Sequence, residues 1–568
     1  MFKNISPRHL RLPIALTALF SLPWLLYGSN LSGWWRWDDT AILKYIIDTK
    51  WWKSFFIPSA WQELSAFHFT PWMTLSYEID YALAGLNPLF FYIHHLMAFS
   101  LLLILTFIFL RIWCSGFVSF WGAVLFACGA PVMTTASQLM TRHYLEGTAF
   151  IIVSLICFHL AMNRNRSAWA VAGSIFYLLA MSAKEIFAPL ILVLLFWPEK
   201  TWKERFPSLI PFGMCAIAYA LWRFYMLSGH VGGYGELNTV RGFKDLVLLP
   251  WSIFNALMKD NFLSFSIWLG GISFVLFKCM KNMRILFFAV AVLIALITPL
   301  AFAGSTHFVP ERFLLLSWWV LVTAISLSLS NTILPSRITG IKAVVGILLL
   351  GTSLSYTFSY QKQLESQIQR FDEIGRYTWM INSPAKSLYL PKMMDYYHYF
   401  YSLKWMKQEM TSRQGPMYIF SDLVEVADIL AHQPRREVRI MMYEEESSTM
   451  KNMQSQLADK LDNWQANNKL AQLSLSFSYA DDTLFWTFGP YQRGKYFLMI
   501  QGRQNISAKM QLPPSSSFHA FALDESFDCR LKYESPQGWY TYSPWLHVDL
   551  TQENTFQWRR EESLSGTP

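Results

Sequence analysis

Two aspartates stand side by side in the run Gly33-Trp34-Trp35-Arg36-Trp37-Asp38-Asp39, just after the first apolar stretch. Adjacent carboxylates among aromatic residues push each other's pKa apart, and one of them can then serve as a general base. Further ionisable residues border later apolar runs: His68, Glu78 and Asp80; Arg142, His143 and Glu146; Lys184 and Glu185; His307, Glu311 and Arg312. Charges at such positions are costly, so each is a functional candidate. Carboxylates suit proton abstraction, and cations suit a departing phosphate or pyrophosphate.

Each feature also has a plainer reading. Asp38-Asp39 would cap a helix starting near Ala41, because aspartate accepts hydrogen bonds from the free N–H groups of a first turn. Arg142 and Glu146 are four apart and would pair on one helix face. Lys184-Glu185 would be an interfacial turn with extended side chains, and Arg312 a headgroup anchor. His94 and His95, inside an apolar run, read as packing residues, while His68 in Phe67-His68-Phe69 reads either way.

Composition shows which elements must position these groups. The 568 residues are 53% hydrophobic, 17% aromatic and only 15% charged, where a soluble domain carries about a quarter. The deficit lies in residues 1–360, which hold long apolar runs such as Leu101 to Leu110, Ile285 to Ala303 and Ala343 to Leu350. Runs of about 20 apolar residues read as membrane helices, and about eleven spans are expected. They fall roughly at 12–29, 89–110, 117–137, 144–162, 168–182, 186–198, 208–227, 251–276, 285–303, 313–330 and 342–360. The first reads as an uncleaved span, since no small-x-small cleavage site follows it.

With a cytoplasmic N-terminus, the inner segments carry Lys3, Arg8, Arg11, Arg111, Arg164, Arg166, Lys200, Lys203, Arg205, Lys278, Lys281, Arg284, Arg337 and Lys342, offset by Glu199 and Glu204. That obeys the positive-inside rule. The fold class expected is a polytopic α-helical membrane protein with a C-terminal soluble domain outside, periplasmic if the membrane is a bacterial inner membrane. The net charge of +9 then reports topology and contact with anionic lipid, not nucleic-acid binding.

The expected division is a membrane domain over 1–360 and an outer domain over 361–568. The first outer loop, 30–88, has amphipathic helices at Ala41 to Asp48 and Leu75 to Leu83, with Trp34, Trp35, Trp37, Trp51, Trp52 and Trp61 at headgroup level. The outer domain begins with a polar helix and is mixed α/β to about 470. It then reads as strands at Leu473 to Phe477, Thr483 to Phe488, Tyr496 to Ile500 and Trp539 to Tyr542. Cys529 is the one cysteine there, so no disulfide frames it.

The run His68-Phe69-Thr70-Pro71-Trp72-Met73-Thr74-Leu75-Ser76-Tyr77-Glu78-Ile79-Asp80-Tyr81-Ala82-Leu83-Ala84-Gly85-Leu86-Asn87-Pro88 resembles a stretch of the GT-C fold membrane glycosyltransferases. The branch it resembles most is that of the transmembrane and tetratricopeptide-containing O-mannosyltransferases and their bacterial relatives. Trp37-Asp38-Asp39 is similar to the acidic pair of that family's first outer loop. Arg142-His143-Tyr144-Leu145-Glu146, Ser182-Ala183-Lys184-Glu185 and Glu311-Arg312-Phe313-Leu314-Leu315-Leu316-Ser317 resemble later marks in the same order. Thr70 stands where the family often has Arg, and Ser317 follows Leu316 without the usual Pro.

The resemblance, over roughly residues 1–330, implies a sugar donor on a polyprenyl phosphate and an acceptor that is a surface glycan, a lipid or a protein. Asp38 would be the base with Asp39 its partner, and Arg142, Lys184 and Arg312 would hold the departing lipid phosphate. A divalent cation, Mg²⁺ or Mn²⁺, is compatible with paired carboxylates beside phosphate. The competing readings are a polytopic transporter or flippase for a lipid-linked glycan, and a scaffold whose outer domain binds glycan.

Overall fold

The computed structural model describes residues 7–164, 166–229, 262–280, 282–301, 311–330, 336–382, 386–392, 397–413, 415–432, 439–480, 483–519, 526–549 and 555–560. The chain divides into two compact units. One comprises Met1–Gly33 and Tyr45–Ser366, the other Trp34–Lys44 and Gln367–Pro568. The segment with the two aspartates therefore belongs with the C-terminal region. The break between the units falls inside one continuous helix, Ser336–Met380.

The first unit is helical. Among the described residues, five helices are long and apolar enough to cross a membrane: Leu12–Ser32, Pro88–Leu110, Leu139–Arg164, Trp202–Met226 and Arg312–Ser330. A sixth would be the pair Gly116–Ala127 and Pro131–Ser137, bent by 63°. The runs expected at 168–182, 186–198 and 285–303 form shorter apolar helices, Ser167–Ala183, Glu185–Leu195 and Met283–Pro299. Part of the run at 251–276 lies outside the described residues.

The bend in the 117–137 run has a local cause. Pro131 has no N–H to give to the Ala127 carbonyl, so a straight helix would leave that oxygen unpaired; the Tyr27 hydroxyl donates to it at 3.1 Å. The Trp318 indole donates to the Phe126 carbonyl at 3.0 Å. A Cβ on Gly129 would sit 2.4 Å from the same indole, so only glycine lets the ring approach. Helix pairs elsewhere meet through small residues, as expected where packing rather than water drives association. A Cβ on Gly122 would lie 2.6 Å from Ser326 Oγ, and Ser154 donates to the Gly173 carbonyl at 2.9 Å.

The loop-one helices are present as Asp39–Asp48 and Pro71–Ala84. Its tryptophans split: Trp35, Trp37 and Trp61 are buried in protein, while Trp51 and Trp52 are exposed. The headgroup-level placement expected for all six thus does not hold for those three. Two of them pack on aromatic rings, Trp37 on Phe371 at 5.1 Å and Trp61 on Phe69 at 5.2 Å between ring centroids.

The second unit has two parts. Strands β1 (Lys386–Tyr389), β2 (Ile419–Phe420), β3 (Arg439–Glu444) and β4 (Thr449–Asn452) form a sheet in the order β2-β1-β3-β4, parallel except for β4. Parallel pairing needs crossovers, and helices Tyr397–Thr411 and Leu423–His432 supply them.

The rest is a β-sandwich. Strands β5 (Leu473–Ala480), β6 (Thr483–Gly489), β9 (Ser515–His519) and β13 (Thr555–Arg560) form one sheet. The other holds β7 (Lys495–Gln501), β8 (Ser507–Leu512), β10 (Ser526–Glu534), β11 (Tyr540–Tyr542) and β12 (Leu546–Asp549). Alternate residues point inward, so Leu475, Phe477, Trp486 and Phe488 meet Tyr496, Leu498, Cys529 and Leu531 in the core.

Candidate functional site

The first cluster lies in the helical unit, where helices Pro71–Ala84, Pro88–Leu110 and Arg142–Arg164 meet. The Arg142 guanidinium pairs with the Asp80 carboxylate through Nη1 and Oδ2. It also lies 4.8 Å from the Tyr77 ring centre. His94 Nδ1 is 2.7 Å from Asp80 Oδ1 and 2.6 Å from Arg142 Nη1. Its other ring nitrogen is 3.4 Å from Glu146 Oε1. Glu146 in turn accepts from Trp72 Nε1 at 2.8 Å and from the Ser76 hydroxyl at 2.9 Å.

Arg142 and Glu146 are therefore each bound to a neighbouring helix, not paired along their own. His94, read from sequence as a packing residue, sits between two carboxylates. His95 is the packing residue of the pair: buried, with Nε2 2.8 Å from the Thr135 carbonyl.

The second cluster fixes the His68-Phe69 loop. Glu185 Oε1 accepts from the Phe69 N–H at 2.8 Å and from Arg223 Nε at 2.7 Å, and Glu185 Oε2 is 3.4 Å from His68 Nδ1. The Trp61 indole donates to the His68 carbonyl at 2.7 Å, and the Tyr219 hydroxyl to that of Phe69 at 2.9 Å. Burial, reinforced by Lys184, lowers His68 to about 4 against the pull of Glu185, so the ring is neutral at pH 7. Arg223 was not singled out from sequence. Its signal was available, as one cation in the apolar run Ala218 to Met226.

The third cluster gathers three distant sequence marks. Lys184 Nζ lies 5.6 Å from the Tyr144 ring centre. Tyr144 is 5.9 Å from Phe313, and the Arg312 guanidinium lies 5.4 Å from the Phe313 ring. His143, beside Tyr144 at 4.5 Å between rings, feels the charges of Lys184 and Arg312. Two cations from separate elements thus bear on one buried imidazole, which is a setting for an anion.

The two aspartates stand in the other unit and differ from each other. Asp39 opens helix Asp39–Asp48, is fully buried, and its Oδ2 accepts the Arg36 N–H at 2.8 Å. Asp38 is exposed, and its carbonyl accepts the Ile42 N–H at 3.0 Å. Trp37 before them holds φ at 45°, a left-handed conformation that a bulky residue adopts only when its surroundings impose it. Arg36 and Trp34 fasten this segment to Asp372, through Arg36 Nε and Nη2 at 2.7 Å each and the Trp34 N–H at 3.0 Å. Asp372 lies among many charges in its helix, so nothing in the sequence distinguished it.

Glu78 is half buried, and burial raises its carboxyl against a backbone hydrogen bond at Trp51. His307 and the Glu311 side chain lie outside the described residues. Among the described residues no group of three or more His, Cys, Asp or Glu is arranged to hold a metal ion. The two aspartates fit one poorly as a pair, since Asp39 Oδ2 is taken by a backbone N–H while Asp38 is exposed.

No protein-family model matches the chain, and no curated protein sequence matches it. Its structure is similar to the crystal structure of ArnT from Cupriavidus metallidurans bound to undecaprenyl phosphate. That likeness has 13% identity and a TM-score of 0.43, over 76% of this chain and 92% of that one. It is also similar to the archaeal oligosaccharyltransferase AglB from Archaeoglobus fulgidus in complex with an inhibitory peptide and a dolichol-phosphate. There the identity is 12% and the TM-score 0.38, over 78% of this chain and 66% of that one.

Proposed function

We propose that this chain is an inverting glycosyltransferase. It moves a sugar from a polyprenyl-phosphate donor to a hydroxyl of a surface glycan, lipid or protein, on the periplasmic face of a bacterial inner membrane. One observation carries the reading: Lys184 and Arg312, from segments far apart in sequence, lie over the neighbouring rings of Tyr144 and Phe313, and both act on His143, within a helical unit rich in apolar spans. Paired cations at the border of apolar helices suit the phosphate of a lipid whose tail stays in the membrane.

In this mechanism the acceptor oxygen forms a bond to the anomeric carbon as the bond from that carbon to the phosphate oxygen breaks. Lys184 and Arg312 stabilise the charge that collects on the leaving phosphate. Asp38 takes the acceptor proton as general base. Asp39 positions it by fixing the start of the helix. Arg142 supports the phosphate site, its Nη1 being tied to Asp80.

The test compares surface polysaccharide, lipid and glycoprotein profiles by mass spectrometry in cells with and without the protein. A mass difference of one sugar, confined to one fraction, gives both donor sugar and acceptor. Identical profiles under conditions where the protein is made would refute the proposal.

A further inference from the structure

At one end of the C-terminal sandwich, three segments are fastened together. Residues 490–494 follow β6, residues 535–538 follow β10, and residues 468–472 lead into β5. Two buried tyrosines pin the first. The Tyr496 hydroxyl accepts the Tyr491 N–H at 2.8 Å and donates to the Tyr491 carbonyl at 3.0 Å, and the Tyr533 hydroxyl donates to the Arg493 carbonyl. The Ser535 N–H closes the second by donating to the Trp539 carbonyl at 2.9 Å, and the Lys469 N–H donates to the Tyr540 carbonyl at 2.8 Å. A Cβ on Gly494, whose φ is 104°, would lie 2.5 Å from the Glu534 carbonyl oxygen, so glycine lets the first two segments lie against each other.

The rings at this end have a plain structural role. Tyr491 stacks on Tyr533 at 4.2 Å between centroids, Trp539 meets both edge-on, and all three pack on the sandwich core. Core packing does not account for the polar groups around them. Lys469, Arg493 and Lys495 are exposed, and none makes an ion pair among the described residues. Lys469 Nζ lies 5.6 Å from the Trp539 ring centre. Glu534, the one acid in 468–472, 490–495 and 534–539, stands opposite Lys495 in the ladder but is bonded by Lys532 at 2.7 Å. The Trp539 ring is partly exposed, and its indole N–H has no hydrogen-bond partner among the described residues. The Ser535 hydroxyl donates to the amide oxygen of exposed Gln537, which leaves that amide's NH₂ group to solvent.

These groups are donors: three cations, an indole N–H and an amide NH₂. Like charge gathered on a surface costs stability, which a bound polyanion offsets. Carboxylates or phosphates answer the cations. The hydroxyl and ring oxygens of a sugar answer the indole and the amide, and its C–H face lies on the exposed part of Trp539. A bilayer would also supply negative charge, but insertion needs protruding apolar side chains. Leu470 is the one large apolar residue of these segments that is mostly exposed, while Tyr491 and Trp539 are half-buried.

We propose that this end of the sandwich is a binding surface for an acidic polysaccharide. Lys469, Arg493 and Lys495 meet its carboxylates or phosphates, and Trp539 and Gln537 meet its sugar rings. The binding stands on the second unit alone and needs no donor lipid. That the bound glycan is also the acceptor rests on the proposed transfer reaction.

The test passes the full chain, in phosphatidylcholine nanodiscs, over immobilised polygalacturonate, phosphomannan, dextran, polyglutamate, and vesicles of equal parts phosphatidylcholine and phosphatidylglycerol. The wild type is expected to bind polygalacturonate or phosphomannan about tenfold or more tighter than neutral dextran or polyglutamate; which of the two it prefers tells carboxylate from phosphate. Lys469→Gln, Arg493→Gln and Lys495→Gln combined are expected to weaken that binding about tenfold and to flatten its dependence on salt. Trp539→Ala is expected to weaken it about tenfold with the salt dependence kept. Unliganded melting points show that each variant folds, and the three exposed cations, which lie outside the core, decide the matter if Trp539→Ala does not.

Equal binding to polyglutamate would show a contact of charge alone, and binding to the vesicles but to neither acidic polysaccharide would show a membrane contact. Either result overturns the proposal, as does equal binding to dextran or wild-type affinity in the triple variant. None of these results bears on donor consumption, and a chain that consumes no donor would still bind the glycan, so the two readings fail separately.

Discussion

Arg36 grips Asp372 through two parallel bonds, Nε to Oδ1 and Nη2 to Oδ2, each 2.7 Å long. The pair ties the segment carrying Asp38 and Asp39 to a helix more than 300 residues away in sequence. The Arg36 side chain is 2% exposed and that of Asp372 20%. Removing one partner of a buried pair leaves an uncompensated charge, whereas replacing both with apolar groups is often near neutral. Asp372→Ala is expected to destabilise the second unit by about 3 kcal/mol, the lower end of the usual range because Asp372 is partly wetted. Arg36→Met with Asp372→Leu should lose less than the single change, measured as melting midpoints in detergent.

His68 makes stability depend on pH. Its folded pKa of about 4 lies below the ordinary 6.5, so the unfolded chain takes up the proton first. Stability therefore falls as pH drops from about 6.5 towards 4, at about 1.4 kcal/mol per unit and about 3 kcal/mol in all. His68→Gln should flatten that limb of a plot of melting midpoint against pH. An unchanged limb would mean that the ring is not buried neutral against Lys184.

Asp422 predicts a separate acid limb in the C-terminal unit. Burial would raise its carboxyl, but Lys532 at 2.8 Å and Lys509 at 3.4 Å outweigh it and hold it below the usual range. Its stabilisation is present above the ordinary carboxylate pKa and is lost as pH falls through the lower folded value. Lys532→Met should weaken the fold at pH 7 by about 3 kcal/mol, since a mostly buried carboxylate loses its nearest cation. The acid transition should also move to higher pH. Both show in circular dichroism of the sandwich strands.

Sequence reading carried some of this and missed the rest for physical reasons. The loop-one helices and four of the sandwich strands follow from amphipathic spacing and alternation, and they lie where the pattern puts them. Apolar runs indicate membrane helices, but hydropathy alone cannot separate a full span from the shorter helices at Ser167–Ala183 or Glu185–Leu195. The Gly129 and Pro131 punctuation within the 117–137 run was a visible sign of a break. Asp38 and Asp39 look like a matched pair in sequence, yet neighbours at a helix start point in different directions, and here one is buried and the other exposed. His94 looked like filler because its partners, Asp80 and Glu146, come from two other helices.

Lys184 and Arg312 should act on the leaving group. Lys184→Met and Arg312→Met are each expected to reduce turnover about 10²- to 10³-fold, the usual effect of removing one stabiliser of transition-state charge. A rise in donor KM with turnover unchanged would instead show that they hold ground-state lipid phosphate and no more.

Donor consumption by the purified protein tests the central claim most directly. Full-length protein in nanodiscs would receive an undecaprenyl-phosphate sugar and membrane extract as acceptor, with free undecaprenyl phosphate followed by mass spectrometry. Time-dependent release is expected for the wild type. Asp38→Asn is expected to slow it about 10²-fold or more, the contribution typical of a general base, at an unchanged melting point. No release from an undecaprenyl-phosphate hexose, N-acetylhexosamine or pentose, or release by Asp38→Asn and Asp39→Asn at the full wild-type rate, would contradict glycosyl transfer with the loop-one aspartates as its base.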